Sequence, residues 1–161
     1  MEDTIAATVI QYKAIASSAT KSGFLENADE VMAPDRGNNL FVGIVEGTIS
    51  QDIDVSNLSS FIDDGAVKYG LSAWIGGWQD HSDNADIEID FLDDKEKRIS
   101  YAKIGPVTVQ DRNVATCMYL KEKSSTVPVG TRSIKVKINS HYGTGLADAY
   151  VDNIKLILSR Q

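Results

Sequence analysis

In the stretch Val67 to Trp78, VKYGLSAWIGGW, apolar and polar side chains trade places at nearly every step. One parity collects Val67, Tyr69, Leu71, Ala73 and Ile75, and the other holds Lys68, Ser72, Trp74 and Trp78. Successive side chains of a strand point to opposite faces, so the first set faces a core and the second faces away. The same period returns in Ile87, Ile89 and Phe91 against Asp86, Glu88 and Asp90, and in Ile134, Val136 and Ile138 against Lys135, Lys137 and Asn139. Helical spacing is hard to find. The pattern predicts an all-β chain with strands near Ile5 to Tyr12, Leu40 to Val45, Thr48 to Val55, Ala66 to Trp78, Ala85 to Leu92, Arg98 to Ile104, Ala115 to Lys121, Arg132 to Ser140 and Ala149 to Leu158. One short helical turn is expected in VSNLSSFIDDG, with Ser56 as N-cap and Gly65 as stop. Strands with one dry and one wet face belong to antiparallel sheets, and two such sheets packed face to face make a β-sandwich.

If successive strands alternate in direction, every second connection lies at the same end. One end then gathers GGWQDHSDN, GPVTVQDRNV and SHYGTGLAD, which carry Trp78, Tyr142, both histidines, Asp80, Asp83, Asp111, Asp148 and Arg112. The opposite end gathers the VSNLSSFIDDG crossover, DDKEK and SSTVPVGT, which is ordinary turn chemistry. Loops on a rigid scaffold are where binding residues concentrate. The first set is therefore the place to look for a site.

Composition narrows the partners. A chain of 161 residues fits one domain with its own core. Sixteen Lys and Arg against 23 Asp and Glu leave a formal charge of −7, so non-specific attraction to nucleic acid is not expected. The lone Cys117, inside the apolar run ATCMYL, reads as an inert buried thiol. No apolar run approaches the ~20 residues needed for a transmembrane segment. The opening MEDTIAATVI has acids where a signal peptide carries positive charge, so a cytoplasmic place or non-classical export to the cell surface is expected. No nucleophile elbow, phosphate loop, zinc helix or dinucleotide fingerprint occurs, and a non-enzyme is expected.

Five ordered segments, DRGNNLFVG, GGWQDHSDNA, IGPVTVQDRN, VPVGTRSIKVKI and ADAYVDNIKLIL, resemble a β-sandwich module that recurs beside secreted bacterial enzymes. That module has a Gly-Pro-Val-Thr-x-x-Asp-Arg loop, a Val-Pro-x-Gly-Thr-Arg turn and a closing Tyr-x-Asp-Asn-x-x-Leu strand. The resemblance runs from Pro34 to Leu158 and implies the galactose-binding-domain-like jelly roll shared by carbohydrate-binding modules and some lectins. It implies no catalytic residues. The opening TIAATVIQYKAIASSATKSGF lacks the Asn-Gly-x-Phe-Glu start that often gives such modules a calcium-binding carboxylate, so that metal is not carried over.

Among individual residues, Trp78 has two readings, a platform on which a sugar ring stacks or a structural lid; Trp74, four residues deeper, reads as covered scaffold. Gln79, Asp80, His81, Asp83, Asn84, Asp111 and Arg112 would read sugar hydroxyls, with Asp148 beside them and His141 and Tyr142 as the facing wall. The loop acids are alternatively calcium ligands or plain turn formers, and Arg112 is alternatively an ion-pair partner of Asp111 or Asp83. Asp152 shares the parity of Tyr150, Ile154, Leu156 and Leu158 and is expected to point inward. A buried carboxylate there is an acceptor for backbone amides or, with Asp35, Asn38 and Asn39, a calcium ligand; Arg36 is its alternative ion-pair partner. The expected function is non-catalytic binding of glycans or glycoproteins, as a small lectin or hemagglutinin that gains avidity as a homo-oligomer. The competing reading is a structural or protein-interaction sandwich with no sugar site.

Overall fold

The apolar parity of VKYGLSAWIGG is buried along its whole length, and this strand is the spine of the molecule. The computed structural model describes residues 3–9, 40–43, 46–143 and 148–161. Its strands are β1 (Asp3–Val9), β2 (Phe41–Gly43), β3 (Gly47–Asp54), β4 (Val67–Gly77), β5 (Asn84–Leu92), β6 (Arg98–Ile104), β7 (Cys117–Thr126), β8 (Ser133–His141) and β9 (Ala149–Arg160), with one helix, α1 (Ser59–Asp63). The first sheet runs β1-β9-β4-β7, with β2 also paired to β9; the second runs β3-β8-β5-β6. All pairings are antiparallel. The expected two-sheet sandwich is the fold. Among the described residues no helix is long and apolar enough to cross a membrane.

Between the sheets lies one continuous core. Val67, Tyr69, Leu71, Ala73 and Ile75 of β4 meet Ile87, Ile89 and Phe91 of β5 and Ile134, Val136 and Ile138 of β8 there, all on the parity read from the sequence. A second apolar cluster forms on the other face of the first sheet, where Leu40, Met118 and Tyr150 are buried and Val42, Trp74 and Trp78 pack against them. Covered scaffold was the expectation for Trp74 and one of the two for Trp78; Met118 and Tyr150 were not expected on this face.

Asp152 and Tyr150 correct the reading of the last strand. Between the pairs Trp74 with Asp152 and Ser72 with Lys155, β9 contains one residue more than β4. Asn153 takes up the extra residue with φ +49°, a left-handed conformation that asparagine tolerates better than most. The bulge reverses the parity. Ala149 and Val151 reach the main core before it, and Ile154, Leu156 and Leu158 after it. Tyr150 and Asp152 therefore face the second cluster instead of the space between the sheets.

Two smaller corrections follow from local chemistry. Ser56 is not an N-cap: it opens a 3-10 turn, Ser56–Leu58, that precedes α1, Val55 caps that turn and Leu58 caps α1, both without a side-chain bond, and the Asp54 carboxylate accepts from Ser56 N at 2.8 Å. Gly65 does end the segment, at φ +70°. β7 continues to Thr126 past the expected Lys121, because KSST pairs with β4 as an edge without burying anything and so shows no apolar alternation. At this end Asp63 binds Arg132 at 2.7 Å and accepts from Gly130 N, closing the β7–β8 turn onto α1.

Candidate functional site

At the opposite end, the β4–β5, β6–β7 and β8–β9 connections do meet, and Arg112 is what joins the first two. Its side chain, in a residue only 1% exposed, donates from Nη1 to Gln79 O at 2.8 Å and to Ala115 O, and from Nη2 to His81 O at 3.0 Å. Gly77 makes room for this: a Cβ there would lie 2.9 Å from Asp148 O and 3.3 Å from Arg112 Nη2. Asp111, instead of pairing with Arg112, accepts from Thr108 N and Oγ1 within its own turn, and these bonds hold its carboxyl below the usual range. The third connection is tied in by Asp83, whose Oδ1 accepts from Gly143 N, and by His81 Nδ1 at 2.7 Å from Asp148 Oδ2. Burial pushes the Asp148 carboxyl up, against the pull of His81 and with help from nearby Asp83.

Of the residues expected to contact a sugar here, Arg112, Asp83 and Asp148 are buried and fasten the loops to one another. Trp78 is half-buried in the second cluster, while Gln79 and Asp80 are exposed at the turn. Gln79 has φ +34°, and Asn113 and Val114 follow Arg112 at +50° and +66°, so the clip stands on a strained turn. For calcium, the described residues offer no group of three or more His, Cys, Asp or Glu that could hold a metal ion. Asp152 accepts from Asn153 N at 2.8 Å, the backbone-acceptor reading; Asp35, Asn38 and Asn39 lie outside the described residues.

His141 and Asn84 belong elsewhere. They are cross-strand partners at the top of the second sheet, on the outer face that continues through Asn139 with Asp86 and Glu88 with Lys137. Across β6, Lys103 stands beside Glu88, and Tyr101 beside Asp90. Alternation placed Asp86, Glu88 and Asp90 outward, but their carboxylates are sunk beneath cations. Asp86 receives Lys103 Nζ and His141 Nε2 at 2.7 Å on Oδ2 and Asn139 Nδ2 at 2.8 Å on Oδ1. Lys137 Nζ reaches Glu88 at 2.6 Å and Asp90 at 2.7 Å, and Arg98 Nη1 adds contacts to both. The Arg98 guanidinium also lies 5.1 Å from the centre of the Tyr101 ring. Burial would raise the Asp86 and Asp90 carboxyls; hydrogen bonds from Lys103, Asn139 and His141 in one case and from Lys137 and Arg98 in the other hold them below the ordinary value.

Comparison with known proteins bears on the scaffold. No protein-family model matches the chain, and no curated protein matches it. Among solved structures, the enzymatically active domain of bacteriophage CBA120 tailspike protein 4 aligns with 87% of this chain at 17% identity and a TM-score of 0.52, and the chain spans 20% of that protein's length. A family 16 carbohydrate-binding module aligns over 76% of this chain and 78% of its own, at 17% identity and a TM-score of 0.48. A family 61 module in complex with β-1,4-galactotriose covers 100% and 86%, at 15% and 0.44. The likeness is one of fold.

Sequence reasoning therefore placed the loops correctly and overlooked the sheet face beside them. Lys137 and Asn139 were legible only as outward residues of one strand, and Arg98, Tyr101 and Lys103 only as members of another. What was missing is register: Asp86 and His141 are 55 positions apart, and nothing local says that they touch. Chemically, the face presents fixed donors around an exposed aromatic ring.

Proposed function

We propose that the chain is a non-catalytic glycan-binding domain of the lectin or carbohydrate-binding-module kind, holding sugar on the outer face of its second sheet between Tyr101 and Tyr142. The observation that carries this reading is Tyr101, a ring 58% exposed midway along the edge strand β6, steadied by Arg98 and bordered by polar side chains that fix one another. Pyranoses are held by an aromatic surface for their C–H groups and by a few positioned polar groups for their hydroxyls. Tyr142, 52% exposed beside His141, would close the upper end of such a platform. The five-motif resemblance supports the same reading. The loop end then serves as its buttress. A single shallow platform binds weakly, so copies associated through self-assembly would supply the avidity of a lectin or hemagglutinin.

A glycan array probed with the purified protein, with and without chelator, tests this. Saturable binding to a narrow set of sugars is expected. Tyr101→Ala should abolish it at an unchanged melting temperature, whereas Trp78→Ala should lower the melting temperature. Loss of binding on chelation would put calcium at the site. A blank array would leave the structural or protein-interaction sandwich as the reading.

A further inference from the structure

The sheet face has a surplus of donors. Of the six carboxylate oxygens of Asp86, Glu88 and Asp90, five already receive side-chain contacts: both of Asp86, Oε1 of Glu88 and both of Asp90. The Asp86 side chain is 1% exposed, yet the Lys103 and Arg98 side chains above this floor are 39% and 53% exposed. A lysine ammonium has three donors, and Lys103 places one on Asp86. A guanidinium has five, and Arg98 engages the acids through Nη1 alone. A ligand approaching this face meets N–H groups whose acceptors are taken, and it must bring acceptors of its own.

We infer that the glycan held on this face is anionic, a polysaccharide whose carboxylate or sulfate groups are received by Lys103 and Arg98 on either side of Tyr101. The inference rests on the glycan-binding reading above and names its substrate class. Neutral sugars offer hydroxyls, each of which donates as well as accepts, and the Asp86, Glu88 and Asp90 side chains, only 1%, 17% and 10% exposed beneath their cations, present little to receive those protons. An anionic group accepts only. The molecule's formal charge of −7 opposes general attraction of polyanions, so binding of this kind has to come from the local arrangement.

The test is titration calorimetry of the full chain in chelated buffer with four polymers: polygalacturonate, dextran sulfate, neutral galactan and neutral xylan. The acidic polymers should bind at least tenfold more tightly than the neutral ones, and raising salt from 50 to 500 mM should weaken only the acidic binding, roughly tenfold or more. Lys103→Gln and Arg98→Gln should each remove most of this preference, while Lys103→Arg, which keeps the charge, should retain it; melting curves of all three check that the fold is intact. A preference for polygalacturonate, for dextran sulfate or for both supports the inference and identifies the anion. Equal or tighter binding of galactan or xylan overturns it while the glycan-binding reading survives. Silence with all four polymers and a blank glycan array overturns both.

Discussion

The loop end and the outer face of the second sheet are both rich in acids and cations, but they use them in opposite ways. In the loops, the His81–Asp148 pair apart, charged groups point at backbone: Arg112 grips three carbonyls, Asp83 takes the Gly143 amide and Asp111 the Thr108 amide. On the face, charged groups point at one another, and the cations keep their outer ends in water. A side chain that satisfies buried backbone is holding the chain in shape, and its removal leaves orphaned polar groups behind. A side chain that rests on another side chain and remains exposed is available to a third party. Residue type alone does not separate the two cases; the partner does.

That contrast is most exposed to challenge at Arg112. Arg112→Met should lower stability by about 3 to 5 kcal/mol, because three part-buried carbonyls lose a buried donor; a urea titration that finds less than about 1 kcal/mol would remove the loop end from the scaffold. Trp78→Ala comes next, with an expected loss of about 2 to 3 kcal/mol for a half-buried indole leaving the second cluster.

Asp86→Asn probes the face at about 1 to 2 kcal/mol near neutral pH, with a signature in the acid limb. The folded Asp86 and Asp90 carboxyls lie below the ordinary 3.8, so they stabilise the fold above that value, and the contribution is lost as pH falls through their depressed values. The variant should be flatter there in acid-unfolding curves. Asp148, raised, works in the opposite sense: its contribution is complete below the ordinary value and is lost as pH climbs through its own. Asp148→Asn should therefore leave the acid limb in place. The smallest effect expected is a gain: Val114 is β-branched at φ +66°, and Val114→Gly should raise stability by about 0.5 to 1 kcal/mol in the same titration.

Alternation made the sandwich legible, because Ile87, Ile89 and Phe91 or Ile134, Val136 and Ile138 are fixed by burial on one side, and counting strands sorted the loops into two ends. Three things escaped it for physical reasons. An edge such as KSST buries nothing and so carries no periodic signal. A bulge such as that at Asn153 changes parity without changing composition. The charge ladder of the sheet face depends on which strand lies beside which, and the pairing of β5 with both β6 and β8 is settled by the whole core. The clip formed by Arg112 was half visible, since an arginine holding loops together was expected, but its carbonyl partners cannot be inferred from a list of acids.

The extra residue of β9 makes the last strand sensitive to number more than to identity. Its first half supplies Tyr150 and Asp152 to one side of the sheet, and its second half supplies Ile154, Leu156 and Leu158 to the other. Exchanging Asn153 for glycine keeps that arithmetic, since glycine adopts the same left-handed backbone freely. Deleting it would turn one half of the strand over, forcing either a phenol and a carboxylate or three aliphatic side chains onto the wrong face. Lineages of this fold should accordingly vary in residue here while conserving length, and a single-codon gap between Val151 and Ile154 should be far less tolerated than one in the DDKEK turn.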